Sequence, residues 1–152
     1  ERQSRLKLFI IGEGSERRAL ESRISNLKLQ DCVRLIGTKP QGELADWYSA
    51  ADLFCLASHR EGCPNVVIEA MTCGLPVVAA NVGGVAELIG PPNCGRLVSQ
   101  PTPENFAAEI RAALRAVWRR DEIARLGGIR SWNEVAAEID SYFTARGICP
   151  PN

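Results

Sequence analysis

Glu61 and Glu69 frame the stretch Glu61-Gly-Cys-Pro-Asn-Val-Val-Ile-Glu69, and the residue types between them define a binding chemistry. An ionised carboxylate accepts hydrogen bonds and donates none, so each glutamate can hold a pair of sugar hydroxyls. Gly62, Pro64 and Asn65 are residues that shape a tight turn and can cap a helix. Such a turn aims backbone N–H groups and a helix N-terminus at one point, which suits phosphate or dense hydroxyl groups. Two acids around such a turn fit a nucleotide-sugar better than a metal ion or a peptide. His59 and Arg60 lie just before Glu61, but a loop histidine with no partner visible in the sequence is read as structural.

These residues need a frame, and short apolar runs alternating with helical periodicity predict an α/β domain with a parallel sheet. Leu6–Ile11 reads as a buried strand, followed by Gly12-Glu-Gly14 and a helix capped by Ser15, with Leu20, Ile24 and Leu27 inward. Val33–Ile36 is the next strand, and Gly42–Ala50 a short helix burying Leu44, Trp47 and Tyr48. Leu53–Ala57 is a strand and Val66–Cys73 a helix ending at Gly74. Pro76–Ala80 is a central strand, after which Gly83-Gly84 turns into a helix through Ile89, and Gly95–Val98 is a last strand. Thr102 caps a helix with Pro103 at its first position, and Phe106, Ile110, Leu114, Val117 and Trp118 line one face. A short helix over Asp121–Leu126 stops at Gly127-Gly128, and Ser131-Trp-Asn-Glu134 is a capping box opening a helix with Trp132, Val135, Ile139, Tyr142 and Phe143 inward. The domain is therefore read as 1–147, with 148–152 a loose tail.

In open α/β sheets ligands bind beyond the carboxyl ends of the strands. Gly12, Gly14, Gly37, Glu61–Asn65, Gly83 and Gly84 all fall at those ends, so the loops are expected to converge on one rim.

Composition narrows the function class. The 152 residues are 45% hydrophobic and 24% charged with a formal net charge of zero, an ordinary globular balance with no electrostatic case for nucleic acid. No apolar run approaches the roughly 20 residues that span a bilayer, and no signal peptide is expected before the first strand. The six cysteines form no C-x-x-C pair and there is a single histidine, so no zinc set is expected and the thiols are read as reduced and mostly packed, in the cytoplasm. Arg111, Arg115 and Arg119 repeat every four residues, which fits a solvated helix face better than a membrane-binding stripe because acids lie nearby.

The E-x7-E spacing continues as Glu69-Ala-Met-Thr-Cys-Gly-Leu-Pro-Val-Val-Ala80. Around it lie Leu8-Phe-Ile-Ile-Gly-Glu-Gly14, Val33-Arg-Leu-Ile-Gly37, Tyr48-Ser-Ala-Ala-Asp-Leu-Phe54, Val82-Gly-Gly-Val-Ala-Glu-Leu-Ile89 and Gly95-Arg-Leu-Val98. In this order the set resembles the retaining glycosyltransferases of the GT-B fold, glycosyltransferase family 4, or glycosyl transferases group 1. The resemblance implies a Rossmann-like three-layer α/β/α domain with a mostly parallel sheet, the C-terminal half of such an enzyme.

On that resemblance Glu69 accepts hydrogen bonds from both ribose hydroxyls, and Glu61 contacts the transferred sugar and steadies positive charge at its anomeric carbon. The backbone from Gly62 to Val66, that is Gly62, Cys63, Pro64, Asn65 and Val66, meets sugar hydroxyls and diphosphate oxygens through its N–H groups. Thr38 and Lys39 stand where relatives place main-chain contacts to the nucleobase, and Gly12 and Gly14 clear space beside the nucleotide. Each acid also has a plain reading, Glu69 as a complement to the helix dipole and Glu61 as a solvated loop acid. Cys63 departs from the family, which often has an aromatic residue there, a change expected to be tolerated.

The implied reaction transfers a sugar from a UDP-, GDP- or ADP-sugar with retention, the leaving phosphate helping to deprotonate the acceptor on the same face. The two acids are not read as the pair of a retaining glycoside hydrolase, whose carboxyls sit about 5 Å apart across the bond. No cofactor or metal is expected. The family's opening strand, Gly-Arg turn and nearby Lys grip the donor diphosphate, whereas this chain opens at Glu1-Arg-Gln-Ser-Arg-Leu shortly before the second strand. That first β-α unit and the N-terminal, acceptor-binding domain are expected to be missing, so the chain should fold but not turn over. The acceptor is expected to be a saccharide or lipid-linked saccharide, and membrane contact only peripheral, at the inner face. Rival readings are a stand-alone nucleotide-sugar-binding or interaction module, a sugar-nucleotide epimerase relative, and a doubly wound domain with no nucleotide role.

Overall fold

Short apolar runs become strands here and the longer periodic segments between them become helices, as their spacing predicts. The computed structural model describes residues 6–90, 93–127 and 132–147. In chain order these are β1 (Leu8–Ile11), α1 (Arg17–Asn26), β2 (Val33–Gly37), α2 (Gln41–Ala50), β3 (Phe54–Leu56) and α3 (Asn65–Thr72), then β4 (Val77–Ala80), α4 (Val85–Ile89), β5 (Gly95–Val98), α5 (Pro103–Arg115), α6 (Arg120–Leu126) and α7 (Trp132–Ala145). Among the described residues the named strands pair in parallel, β1 with β2, and β3–β4–β5 in that order. Parallel neighbours need a crossover, and α1, α3 and α4 supply it within the two sheets. The fold is the expected α/β class with parallel strands.

The chain divides into two units, Glu1–Asp46 and Trp47–Asn152. In the second unit β4 is buried at all four positions, as a central parallel strand covered on both faces must be. Val77 and Ala79 face a cluster with Val67 and Met71 of α3, Val85 and Ile89 of α4 and Ile123 of α6. Val78 faces the opposite cluster, with Val98 of β5, Ala113, and the half-buried Phe106 and Ile110 of α5. Each fully buried aliphatic side chain in these layers contributes about 1.5–3 kcal/mol. Gly74 closes α3 in the left-handed region at φ +72, with its N–H on the Met71 carbonyl at 2.8 Å, as the sequence leads one to expect.

Other expectations change. Leu8 and Phe9, which as successive strand residues point to opposite faces of the two-stranded sheet, are both exposed. Ser15 does not cap α1: the Arg17 N–H takes the Gly14 carbonyl at 3.2 Å, and the cap position falls on Glu16 with no side-chain bond. Leu27 is exposed because it is the C-cap of α1, past the last helical turn. Leu44, Trp47 and Tyr48 are half-buried, not buried. Cys55 and Cys63 are exposed, Cys55 because strand alternation turns it away from Phe54 and Leu56.

Helix α5 ends at Arg115 when Ala116 adopts an extended conformation, so Val117 projects into solvent at 95% exposure and Leu114 is exposed beside it. Trp118 folds back instead, its indole N–H donating at 2.8 Å to the Ala113 carbonyl, which also accepts from the Ala116 N–H at 3.2 Å. Thr102 caps α5 as expected, its hydroxyl accepting from the Asn105 N–H at 3.3 Å. On α7, Ile139, Tyr142 and Phe143 are exposed and Val135 half-buried; the two rings meet edge to face and Arg146 lies over Tyr142. Gly128, the cap residue Ser131 and the tail 148–152 lie outside the described residues.

Candidate functional site

Each unit carries its candidate residues beyond the carboxyl ends of its parallel strands. In the second unit the chain leaves β3 at Leu56, passes the exposed His59 and Arg60, and reaches a half-buried Glu61. Gly62 and Cys63 are exposed. Pro64 is buried and extended, with φ −74 and ψ 108, and occupies the N-cap of α3. Asn65 is therefore the first helical residue and does not cap, contrary to expectation; a proline ring holds the cap position and offers no acceptor. The leading N–H groups of a helix have no intrahelical partners, and no acidic residue in the first turn of α3 neutralises its positive end. Glu69 stands one turn further along, half-buried, on the same helix.

A second loop holds this one in place. The Gly84 N–H donates to the Gly62 carbonyl at 2.9 Å. A β-carbon on Gly84 would stand 2.5 Å from that same oxygen, and one on Gly83 would fall on the Glu61 carbonyl. Gly83 also has φ +52, a region that side chains with a β-carbon rarely adopt. Gly83 and Gly84 belong to the rim legible in the sequence, but their role is to admit the Glu61–Gly62 backbone. The paired glycines ahead of a helix are the available signal.

Tyr48 is the residue that sequence reasoning missed. Its spacing marks a core position of α2, yet its hydroxyl donates to Glu69 Oε2 at 3.2 Å. Its ring packs edge to face on Phe54, with centroids 5.6 Å apart and an 83° interplanar angle. Burial, and then the negative charge and hydrogen bond of Glu69, push the Tyr48 phenol well above the usual tyrosine range, so it stays a proton donor to the carboxylate. The pair is 21 residues apart, and nothing in local periodicity announces it.

In the first unit Gly12, Gly14, Thr38 and Lys39 follow β1 and β2. Gly12, at φ +126, donates its N–H to the Gly37 carbonyl at 2.9 Å, which draws the two strand ends together. Gly14 has open space about its Cα and Thr38 is exposed. Lys39 pairs with Glu43 at 2.9 Å, one turn apart, as an ordinary surface lysine does. Arg111 and Arg115 are exposed on α5 as the expected solvated face, whereas Arg119 lies beyond the end of that helix, at the N-cap of α6, and pairs with Glu122 at 2.8 Å. No helix among the described residues is long and apolar enough to cross a membrane.

Known proteins share this pattern. Residues 1–125 match the family described as glycosyl transferases group 1. The D-inositol 3-phosphate glycosyltransferase of Streptosporangium roseum is 40% identical over 125 residues, spanning 78% of this chain and 28% of that protein. Sucrose-phosphate synthase from Thermosynechococcus elongatus superposes with a TM-score of 0.73 at 28% identity, over 93% of this chain and 38% of that one. Anabaena HepE, solved in complex with UDP, superposes with a TM-score of 0.73 at 23% identity, over 93% and 42% of the two chains, a likeness of fold. This chain thus spans well under half the length of these relatives. Within that span the family match takes in both strand-end clusters and the whole Glu61–Glu69 segment, and the chain belongs to the glycosyl transferases group 1, glycosyltransferase family 4, as an α/β domain corresponding to the C-terminal part of their GT-B fold.

Proposed function

We propose that this domain binds the donor of a retaining glycosyltransferase, which moves a sugar from a nucleoside diphosphate sugar to a saccharide or lipid-linked acceptor. The observation that carries this reading is the Glu61–Glu69 segment, with a half-buried Glu61 in the loop before α3 and a half-buried Glu69 one turn inside it, in a chain of this family. Glu69 takes the ribose hydroxyls and Glu61 the hydroxyls of the transferred sugar. The N–H groups of Gly62, Cys63, Asn65 and Val66 face the diphosphate, and the helix N-terminus stabilises the charge that grows on it as the glycosidic bond breaks. Thr38 and Lys39 border the nucleobase, and Gly12 and Gly14 leave room beside the nucleotide. Neither carboxylate needs to act as an acid, because each works as an acceptor of hydroxyl protons.

On the same reading, the 152-residue chain alone binds donor without transferring sugar, since an acceptor site belongs to the length that its relatives have and it does not span. The reaction is assigned to the cytoplasm, with membrane contact only peripheral. Calorimetric titration with UDP-, GDP- and ADP-glucose tests donor binding: one of them is expected to bind, with Glu69→Ala weakening it about tenfold or more. Binding that ignores this substitution refutes the site. Sugar transfer by the chain to any acceptor faster than donor hydrolysis refutes its inactivity.

A further inference from the structure

A glutamate that must accept two hydrogen bonds from a vicinal diol works best when its side chain is already held. A free glutamate samples many rotamers, and ordering them on binding lowers affinity. In the second unit Glu69 is already engaged: one oxygen, Oε2, accepts from Tyr48. A carboxylate has about four lone-pair sites, so one bond from tyrosine leaves Oε1 whole and a second site on Oε2.

Tyr48 is itself immobilised. Its ring is packed on Phe54 and against the cluster that contains Val67 and Met71 of α3. The main-chain carbonyls that follow it are also tied, Ser49 to Arg120 Nη2 at 3.4 Å and Ala51 to Arg120 Nη1 at 3.1 Å. Arg120 opens α6, and α6 is docked on the helix that carries Glu69, where the Thr72 hydroxyl donates to the Gly127 carbonyl at 3.1 Å. Donor and acceptor of the Tyr48–Glu69 bond therefore rest on one support.

We infer that Tyr48 is a positioning residue for ribose recognition: by donating to Glu69 Oε2 it holds the carboxylate for a vicinal diol and sharpens the preference for a ribonucleotide over its 2′-deoxy counterpart. Tyr48 takes this role only if Glu69 holds the ribose, as proposed above. Burial and the neighbouring Glu69 both favour the protonated phenol, so it acts as the donor in this bond.

Titration of the 152-residue chain with UDP and 2′-deoxy-UDP, or the matching GDP or ADP pair if that base binds, separates the two claims. The wild-type chain is expected to prefer the ribonucleotide about tenfold, as one hydrogen bond to a charged group implies. Tyr48→Phe, which keeps the ring on Phe54, should cut that preference to about threefold or less, and Glu69→Gln should abolish it, with no further loss in the double variant. If Glu69→Gln loses the preference while Tyr48→Phe keeps it, Tyr48 is a structural residue and the ribose role of Glu69 stands. If Glu69→Gln keeps it, the ribose role falls and that of Tyr48 with it, as both do if no nucleoside diphosphate binds.

A second measurement does not depend on how Tyr48→Phe folds. The chain has two tyrosines, so Tyr142→Phe leaves Tyr48 as the single ring-labelled signal in an NMR spectrum. That signal should move on adding UDP and move less with 2′-deoxy-UDP; a signal indifferent to UDP overturns the inference.

Discussion

The main-chain carbonyl of Glu61 lies so close to the Cα of Gly83 that a β-carbon on that residue would fall onto the carbonyl oxygen. Two loops from the ends of neighbouring strands are thereby joined backbone to backbone, and the Gly84 N–H seals the contact on Gly62. The position of the Glu61 carboxylate thus depends on a residue that offers it no side chain.

Gly83→Ala is accordingly expected to move the Glu61–Pro64 loop. The steric conflict and the φ of +52 together should cost about 1–3 kcal/mol in chemical denaturation and weaken nucleotide-sugar binding at least tenfold. A Gly83→Ala chain that binds donor like the wild type would show that the contact does not position the site.

Glu61 and Glu69 should separate by ligand. Glu61→Ala is expected to lower affinity for the nucleotide-sugar while leaving that for the nucleoside diphosphate unchanged. Glu69→Ala should lower both, by about tenfold. Calorimetry with UDP and UDP-glucose, or the corresponding pair for another base, reads the difference directly. Equal effects of the two substitutions on both ligands would contradict the division of labour.

Tyr48 ties stability to alkaline pH. Its phenol is raised by burial, by Glu69 and to a lesser extent by Cys73, so the folded chain keeps a proton that the unfolded chain gives up near the ordinary value of 10.0. The stabilisation is complete below that pH and is lost as pH climbs above it, since the unfolded state then binds fewer protons. In a Tyr142→Phe background, phenolate absorbance should appear later than in free tyrosine, and Glu69→Gln should bring it earlier. An ordinary tyrosine titration in the folded chain would refute the half-buried bond.

The docking of α6 on α3 gives a stability prediction away from the site. A β-carbon on Gly127 would stand 2.7 Å from both Met71 Cβ and the Thr72 nitrogen, so Gly127→Ala should cost about 1–3 kcal/mol in urea denaturation. Thr102→Ala removes only the cap of α5 and should cost about 1 kcal/mol with donor binding unchanged.

Periodicity identified elements well where the next few residues decide them. The strand Gly95–Val98 and the Thr102-Pro103 helix start lie where the pattern places them, because a strand end and an N-cap are settled by immediate neighbours. The same periodicity overran the end of α5: Val117 has the right spacing for the core, but the backbone turns extended at Ala116 and Trp118 takes its place. The exposed rings of α7 fail for a related reason, since an amphipathic pattern names a face without naming what covers it.

The sequence by itself determined the alternating α/β order, the parallel class, the family and the two-glutamate segment at a helix start, all of which are written in short-range spacing and in the order of motifs. Tertiary structure alone decided that Pro64 holds the cap position in place of Asn65, that Gly83 admits the Glu61 carbonyl, and that Tyr48 reaches Glu69 across 21 residues. The physical reason is distance along the chain. Contacts between separate loops and helices depend on how the layers of β4, α3 and α6 pack, and packing is set by all of their side chains at once.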